Sequence, residues 1–433
     1  VHPRQPESAG DFGPDSRYAW FRLMVALALM TLGASGMYVI SVALPAVQQE
    51  FGIDRSAAST PYTLLMIGFG IGGVVMGKLA DRFGIVVPLA VGACGLGLGF
   101  VLAGLAPNPM SLALIHGVLI GALGASSTFS PLVADTSLWF DKRRGLAVAV
   151  CASGNYLGGT LWPPIVQYFI EWLGWRQTFI GIGVFCVVTM LPLALLMRRR
   201  PPVLALGVGT TGAPGTAGAQ STAIDLDRPL GVSPNTLQTL LFVAGISCCV
   251  AMAMPQVHIV AYCVDLGYGA ARGAQMLAIM LGFGIISRLV SGVISDRIGG
   301  LRTLLLGSVL QGAALLLFLP FDGLLSLYVV SALFGLFQGG IIPSYALVVR
   351  KLFKPAQIAG RLSWVVSATL LGMALGGWLS GVIYDLTGSY QAAFINGIVW
   401  NLVNGLIVGT LLWRVKAIER RREAETGVFT RLA

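Results

Sequence analysis

Residues 256–299 read QVHIVAYCVDLGYGAARGAQMLAIMLGFGIISRLVSGVISDRIG. One arginine, Arg288, lies deep in this apolar run with no acid beside it. A bare cation in hydrocarbon costs at least about 2.5–3.5 kcal/mol on insertion scales, so a compensating anion is expected. The run closes on Ser295-Asp296-Arg297, eight residues beyond Arg288, or about 12 Å along a helix. That is too deep for comfortable snorkelling.

The rest of the chain supplies the membrane that this argument needs. Of its 433 residues, 56% are hydrophobic and 11% charged, where a soluble domain has about 25% charged. The apolar runs are too long and too many for core helices, so the chain reads as a polytopic membrane protein. Twelve spans are expected, at 20–42, 60–78, 86–106, 110–134, 146–170, 178–197, 236–260, 274–294, 301–319, 324–348, 362–383 and 392–413. Of the 28 Lys and Arg, 24 fall on one side of these spans and three (Arg55, Arg176, Arg272) on the other. Arg288 alone falls inside. No Asp or Glu stands at similar depth; Asp135, Glu171, Asp265 and Asp385 lie near span ends. The asymmetry places both termini in the cytoplasm, and makes the net charge of +10 an orientation signal instead of a nucleic-acid face.

Residues 198–235 open with RRRPP and continue through GVGTTGAPGTAGAQST, a flexible cytoplasmic linker by composition. The expected domains are a cytoplasmic tail at 1–19, a six-helix bundle at 20–197, the linker at 198–235, a second bundle at 236–413 and a basic cytoplasmic tail at 414–433. The N-terminal residues lack a basic-then-apolar leader, so no removable signal is expected. The six cysteines all fall in apolar runs without metal-ligand spacing.

The two halves repeat. Asp81 and Asp296 stand 296 − 81 = 215 residues apart, and the same shift joins Gly77 to Gly292, Arg82 to Arg297, Gly84 to Gly299, Gly124 to Gly339, Gly145 to Gly360 and Phe179 to Phe394. Paired Asp-Arg-x-Gly turns, each after the second span of its half, are hard to obtain by chance. Parallel repeats of this kind suggest a site near the midplane, reached alternately from each side.

GKLADRFG (77–84) resembles the loop signature of the major facilitator superfamily, and SGVISDRIG (291–299) its second-half counterpart. The resemblance covers nearly the whole chain apart from the tails and linker. It implies an all-α integral membrane protein of about twelve helices in two six-helix bundles with pseudo-two-fold symmetry. Asp81, Arg82, Asp296 and Arg297 are then gating residues, because an Asp at a helix end can cap neighbouring helices and pair with Arg. The stretch 256–299, with WFDKRRGLAVAVCASGNYLGG (139–159) and EFGIDRSAAS (50–59), resembles the monocarboxylate transporter group, especially its bacterial members. In that group the eighth-helix arginine holds the substrate carboxylate, and here it is Arg288. A guanidinium fork suits a carboxylate bidentately. The implied function is a secondary transporter of small monocarboxylates with a proton, in a bacterial inner membrane.

Two positions depart from the group. Vertebrate members carry an acid one turn before the arginine, where Gly284 stands, and a first-helix lysine that 20–42 lacks. The related oxalate–formate exchangers resemble the chain at Trp364 but place a lysine where Ser367 stands. With one buried cation a dianion would keep an uncompensated charge, which favours a monoanion. A drug–proton antiporter would carry a fifth-helix proline where Gly159 stands. A non-transporting sensor would add a soluble domain.

His258 can exchange a proton near neutral pH, donate a hydrogen bond to substrate, or simply pack against a carbonyl; for His116 packing is favoured. Tyr38, Asn155, Tyr156, Tyr345, Trp364 and Ser367 are polar or aromatic residues near mid-span, suited to clamping a small carboxylate. There is no Walker loop, HExxH or GxSxG, so no enzyme, metal or cofactor is expected. The expected partners are a small organic monoanion, protons and the lipid bilayer, with the chain a monomer and no nucleic acid.

Overall fold

A computed structural model describes residues 13–199, 229–354 and 357–426. The described backbone is helical apart from short connections. Hydrocarbon leaves no water to satisfy N–H and C=O groups, and a helix satisfies them within itself. The first half comprises α1 (Arg17–Gly33), α2 (Ser35–Phe51), α3 (Arg55–Phe83), α4 (Val86–Gly104), α5 (Pro109–Ile115), a π-helical stretch His116–Ala125, α6 (Ser130–Leu138), α7 (Arg144–Leu173) and α8 (Trp175–Leu196). The second comprises α9 (Pro234–Asp265), α10 (Ala270–Ile298), α11 (Gly300–Leu317), α12 (Leu324–Gln338), α13 (Ile341–Leu352), α14 (Ile358–Thr387) and α15 (Tyr390–Thr426).

Local chemistry sets several boundaries. Ser16, Asn108 and Ser233 cap α1, α5 and α9 by accepting from Ala19, Ser111 and Thr236 N–H groups, and Pro109 and Pro234 occupy first-turn positions that need no N–H. Gly52 and Gly388 end α2 and α14 in the left-handed conformation.

Eleven helical stretches among the described residues are long and apolar enough to cross a membrane. The remaining expected span, at 146–170, lies within α7, which is 30 residues long but carries Arg144, Asn155, Gln167 and Glu171. Three spans expected as single rods are segmented. The first breaks at Ala34, the fourth into α5, the π-helical stretch and α6, and the tenth at Gly339–Gly340. The last expected span, ending at 413, continues as helix to Thr426. Most of the expected linker, 200–228, lies outside the described residues, as do 1–12 and 427–433 of the expected tails.

Contacts divide the chain into two compact units. Unit 1 is Val1–Ile53 with Thr60–Gly207; unit 2 is Asp54–Ser59 with Val208–Ala433. Within unit 1, α7 packs on α1 and α2, and α4 packs on α8 and the π-helical stretch. Within unit 2, α14 and α15 pack on α9, α10 packs on α12, and α11 packs on α15, α12 and α13. The shift of 215 survives in the backbone. It carries the starts of α3, α5 and α8 (Arg55, Pro109, Trp175) onto those of α10, α12 and α15 (Ala270, Leu324, Tyr390). It also carries Gly84 (φ 85°) onto Gly299 (φ 87°), so both Asp-Arg turns end on a left-handed glycine that a side chain would strain.

Small residues let helices touch backbone to backbone within each unit. In unit 1 a Cβ on Gly68 or Gly72 would overlap the carbonyl oxygens of Gly117 and Ala122. In unit 2 a Cβ on Gly335 or Gly339 would overlap those of Met280 and Gly284. Such close approaches are how helices associate in lipid, where apolar side chains gain nothing by leaving the solvent. Large apolar side chains accordingly face outward, among them Ile71, Val74, Leu325 and Leu406. Replacing Gly335 by Val is expected to lower stability by about 3 kcal/mol through overpacking. Gly405→Ala, on α15 with open space around its Cα, is expected to raise it by about 0.5–1 kcal/mol. Thermal unfolding of the two purified variants distinguishes them.

Candidate functional site

Arg288 projects from α10, which is unbroken between it and the Asp296 turn, and its side chain is half-buried. The neighbouring face of α10 is built of small residues. Gly284 offers its carbonyl to Gly339, and a Cβ on Gly339 would lie 2.9 Å from that of Ser287. A Cβ on Gly340 would overlap Ser291. Ser291 Oγ returns a hydrogen bond to the Arg288 carbonyl at 3.0 Å. The residue before this glycine pair, Gln338, is fully buried and accepts a hydrogen bond from Gln256 Nε2 on α9 at 3.0 Å. Neither glutamine belongs to the site expected from the sequence. A Gln inside an apolar span was the available signal.

Other expected ligands have partners of their own. Tyr345 is 1% exposed, and its hydroxyl donates to Asn404 Oδ1 at 2.9 Å. Asn404 Nδ2 donates to Ser308 Oγ at 2.7 Å, which donates to the Leu304 carbonyl at 2.8 Å. His258 is fully buried between the Gly377 carbonyl, 2.8 Å from Nε2, and the Tyr390 hydroxyl, 3.2 Å from Nδ1. A carbonyl only accepts, so Nε2 carries the proton and Nδ1 accepts from Tyr390. Trp364 and Ser367 are exposed; Trp364 is 64% exposed, lies 6.4 Å from the Phe242 ring, and borders a cavity of about 570 Å³ lined also by Gln238 and Arg361. In unit 1 the structure joins two expected ligands directly. Tyr38 donates to Asn155 Oδ1 at 3.0 Å, and Asn155 Nδ2 donates to Met37 Sδ at 3.4 Å. Tyr156, the next residue, is buried.

Asp81 and Arg82 end α3 as Asp296 and Arg297 end α10. The first pair borders a cavity of about 340 Å³ in unit 1, lined also by Asp135, Met197, Arg198 and Arg199. Asp135 there belongs to a buried ion pair that no local pattern in the sequence marks. Arg22, counted among the loop charges, is 3% exposed on α1. It donates from Nε and Nη2 to the two carboxylate oxygens of Asp135 at 3.0 and 2.9 Å, and from Nη1 to the Met197 carbonyl at 3.0 Å. Its Cζ stands 4.8 Å from the Trp139 ring centroid.

Unit 2 holds a second buried arginine. Arg55, 6% exposed, donates from Nη2 to both oxygens of Asp265 at 3.0 and 3.2 Å. It lies over Tyr384 and Tyr390, at 4.7 and 5.6 Å. Asp385 caps the same turn, accepting from the Arg55 and Ser56 N–H groups at 2.8 Å each. Gly381 makes room, since a Cβ there would be 2.8 Å from Ser56 Cα. Each of these acids is far away in sequence, so no local motif announced the pairs.

Repeated helix starts, paired left-handed glycines and glycine crossings describe one architecture, and the sequence model of the Major Facilitator Superfamily matches residues 25–324 and 289–432. The chain belongs to the major facilitator superfamily. Similar members include Monocarboxylate transporter 13 of Rattus norvegicus, 26% identical over 406 residues, covering 91% of this chain and 87% of the relative. The uncharacterized MFS-type transporter YcxA of Bacillus subtilis (strain 168) is 27% identical over 356 residues, with coverages of 78% and 82%. In fold, a bacterial homologue of the human lysosomal transporter Spinster superposes with TM-score 0.70 at 15% identity, over 92% of this chain and 98% of its own. The nucleoside transporter NupG does so with TM-score 0.71 at 12% identity, over 91% and 99%. At those identities the likeness is one of fold. The superfamily match and these relatives make the chain a transporter and not an enzyme.

Breaking a buried ion pair leaves a charge uncompensated, at a cost of about 3–5 kcal/mol. Arg22→Met alone is therefore expected to destabilise this superfamily member by that amount. Arg22→Met combined with Asp135→Leu is expected to recover to within about 1 kcal/mol of the native chain. Thermal unfolding of the single and double variants checks both values.

Proposed function

We propose that the chain carries a small monocarboxylate, of lactate or pyruvate size, across a bacterial inner membrane together with a proton, by alternating access, with both termini cytoplasmic and as a monomer. The observation that carries the proposal is Arg288, a half-buried cation about 12 Å inside a membrane helix. Relatives named monocarboxylate transporters, at 26–27% identity over most of the chain, support the cargo class. A guanidinium can bind both oxygens of one carboxylate. Tyr38 and Asn155, which are hydrogen-bonded to each other, are further proposed substrate-binding residues. Asp81, Arg82, Asp296 and Arg297 are the proposed gating residues.

His258 is the proposed proton carrier. Protonation would turn Nδ1 from acceptor to donor and reverse the bond to Tyr390, linking the charge of one side chain to the packing of α15. An oxalate- or formate-type exchanger is the alternative, weakened by Ser367, which supplies no second cation.

Arg288→Ala in proteoliposomes is expected to reduce uptake of lactate and pyruvate at least about 30-fold, the lower end of what losing a buried charged partner costs. Arg288→Lys is expected to be nearly as impaired, because an ammonium lacks the planar fork. Native uptake by the Arg288→Ala protein would refute the proposal. Coupling is tested separately: an inward proton gradient is expected to accelerate uptake by the native chain, and equal rates with and without it would favour exchange.

A further inference from the structure

Gln338 ends α12 and is fully buried. Its Oε1 accepts from Gln256 Nε2 at 3.0 Å, but its own Nε2 has no hydrogen-bond partner among the described residues. Turning both amides over reverses the bond and still leaves one buried amide atom of Gln338 without a partner. Such an atom is destabilising, and hydrocarbon offers no water to relieve it. A pair of methionines in place of both glutamines would fill nearly the same space without that penalty. A polar side chain in this position therefore calls for a reason beyond packing.

The position supplies one. Gly339 follows Gln338 and meets α10 at Gly284 and Ser287. Ser287 immediately precedes Arg288. Gln338 and Arg288 thus each stand one residue along the chain from a single glycine contact. Gln256 is itself 6% exposed, and its hydrogen bond fixes the Gln338 amide from the neighbouring helix α9.

We infer that Gln338, held by Gln256, is a substrate-binding residue that recognises an oxygen on the carbon next to the carboxylate. The inference rests on Arg288 binding the carboxylate as proposed above. Once the guanidinium engages both carboxylate oxygens, the remaining acceptor on a small monoanion of this class is its 2-oxo or 2-hydroxyl oxygen. The amide N–H of Gln338 has the right polarity for either. Acetate and propionate lack that oxygen and would leave the amide unsatisfied. The chain therefore selects 2-oxo and 2-hydroxy short-chain acids over unsubstituted ones. Gln256 is a positioning residue that fixes the amide without touching substrate.

The test compares uptake of pyruvate, lactate and propionate by the native chain and by Gln338→Met, Gln256→Met and Arg288→Ala in proteoliposomes, with thermal unfolding of each. The native chain is expected to favour pyruvate over propionate by about tenfold in KM, the worth of one buried hydrogen bond. Gln338→Met is expected to erase that ratio by raising the pyruvate KM about tenfold while leaving propionate and the maximal rates unchanged, and to unfold no earlier than Gln256→Met, since each variant leaves one glutamine of the pair without its partner. Gln256→Met is expected to reduce the ratio in part. Arg288→Ala is expected to lose all three acids. A native pyruvate-to-propionate ratio in Gln338→Met overturns the inference. Should Gln338→Met fail to insert, Gln338→Asn keeps the polarity but shortens the reach, and the same loss of ratio is required of it. Retained uptake by Arg288→Ala would remove the anchoring role of Arg288. Loss of uptake there with an unchanged ratio in Gln338→Met would remove only the role of Gln338.

Discussion

Hydrocarbon cannot hydrogen-bond, and almost everything in this structure follows from that. Each backbone donor is satisfied within a helix, so the described residues are helices joined by short turns. Helices gain little by burying apolar side chains against one another in lipid, and they associate instead through glycines that admit a neighbour's backbone. Charges within the units come with partners. Arg22 has a bidentate carboxylate, a carbonyl and an indole face, and Arg55 has a carboxylate and two phenol rings. Arg288 is half-buried beside a strip of glycine and serine.

The architecture was legible in the sequence because it is periodic on two scales. Apolar runs of about twenty residues gave the spans, and the shift of 215 gave the repeat, which returns in the helix starts and in Gly84 and Gly299. What escaped is the segmentation of three spans. Ala34, the π-helical stretch and Gly339–Gly340 interrupt runs whose composition is uniformly apolar, so hydropathy carries no mark of the break.

Side-chain direction was the second thing the sequence could not supply. Tyr345, His258 and Trp364 are all polar or aromatic residues within spans, yet the first two are buried within unit 2 and the third is exposed beside a cavity. Helices that are apolar all round have no amphipathic stripe to tell one face from another. The pairing of Arg22 escaped for a related reason. The arginine stands five residues into α1, close enough to an end to be counted with the loops, and its carboxylate lies 113 residues away on α6. Gln256 and Gln338 were passed over because an uncharged amide does not stand out in a search for charge, although burying one without a partner is itself costly.

The crossing of α10 and α12 has a mechanical meaning. Gly335, Gly339 and Gly340 bring the end of α12 against the Met280 and Gly284 carbonyls and the short side chains of Ser287 and Ser291, with no bulky side chain between to act as a bearing. Rods locked so closely resist sliding, since it would drive backbone into backbone. Whatever is mounted beside such a lock keeps its spacing while the lock holds.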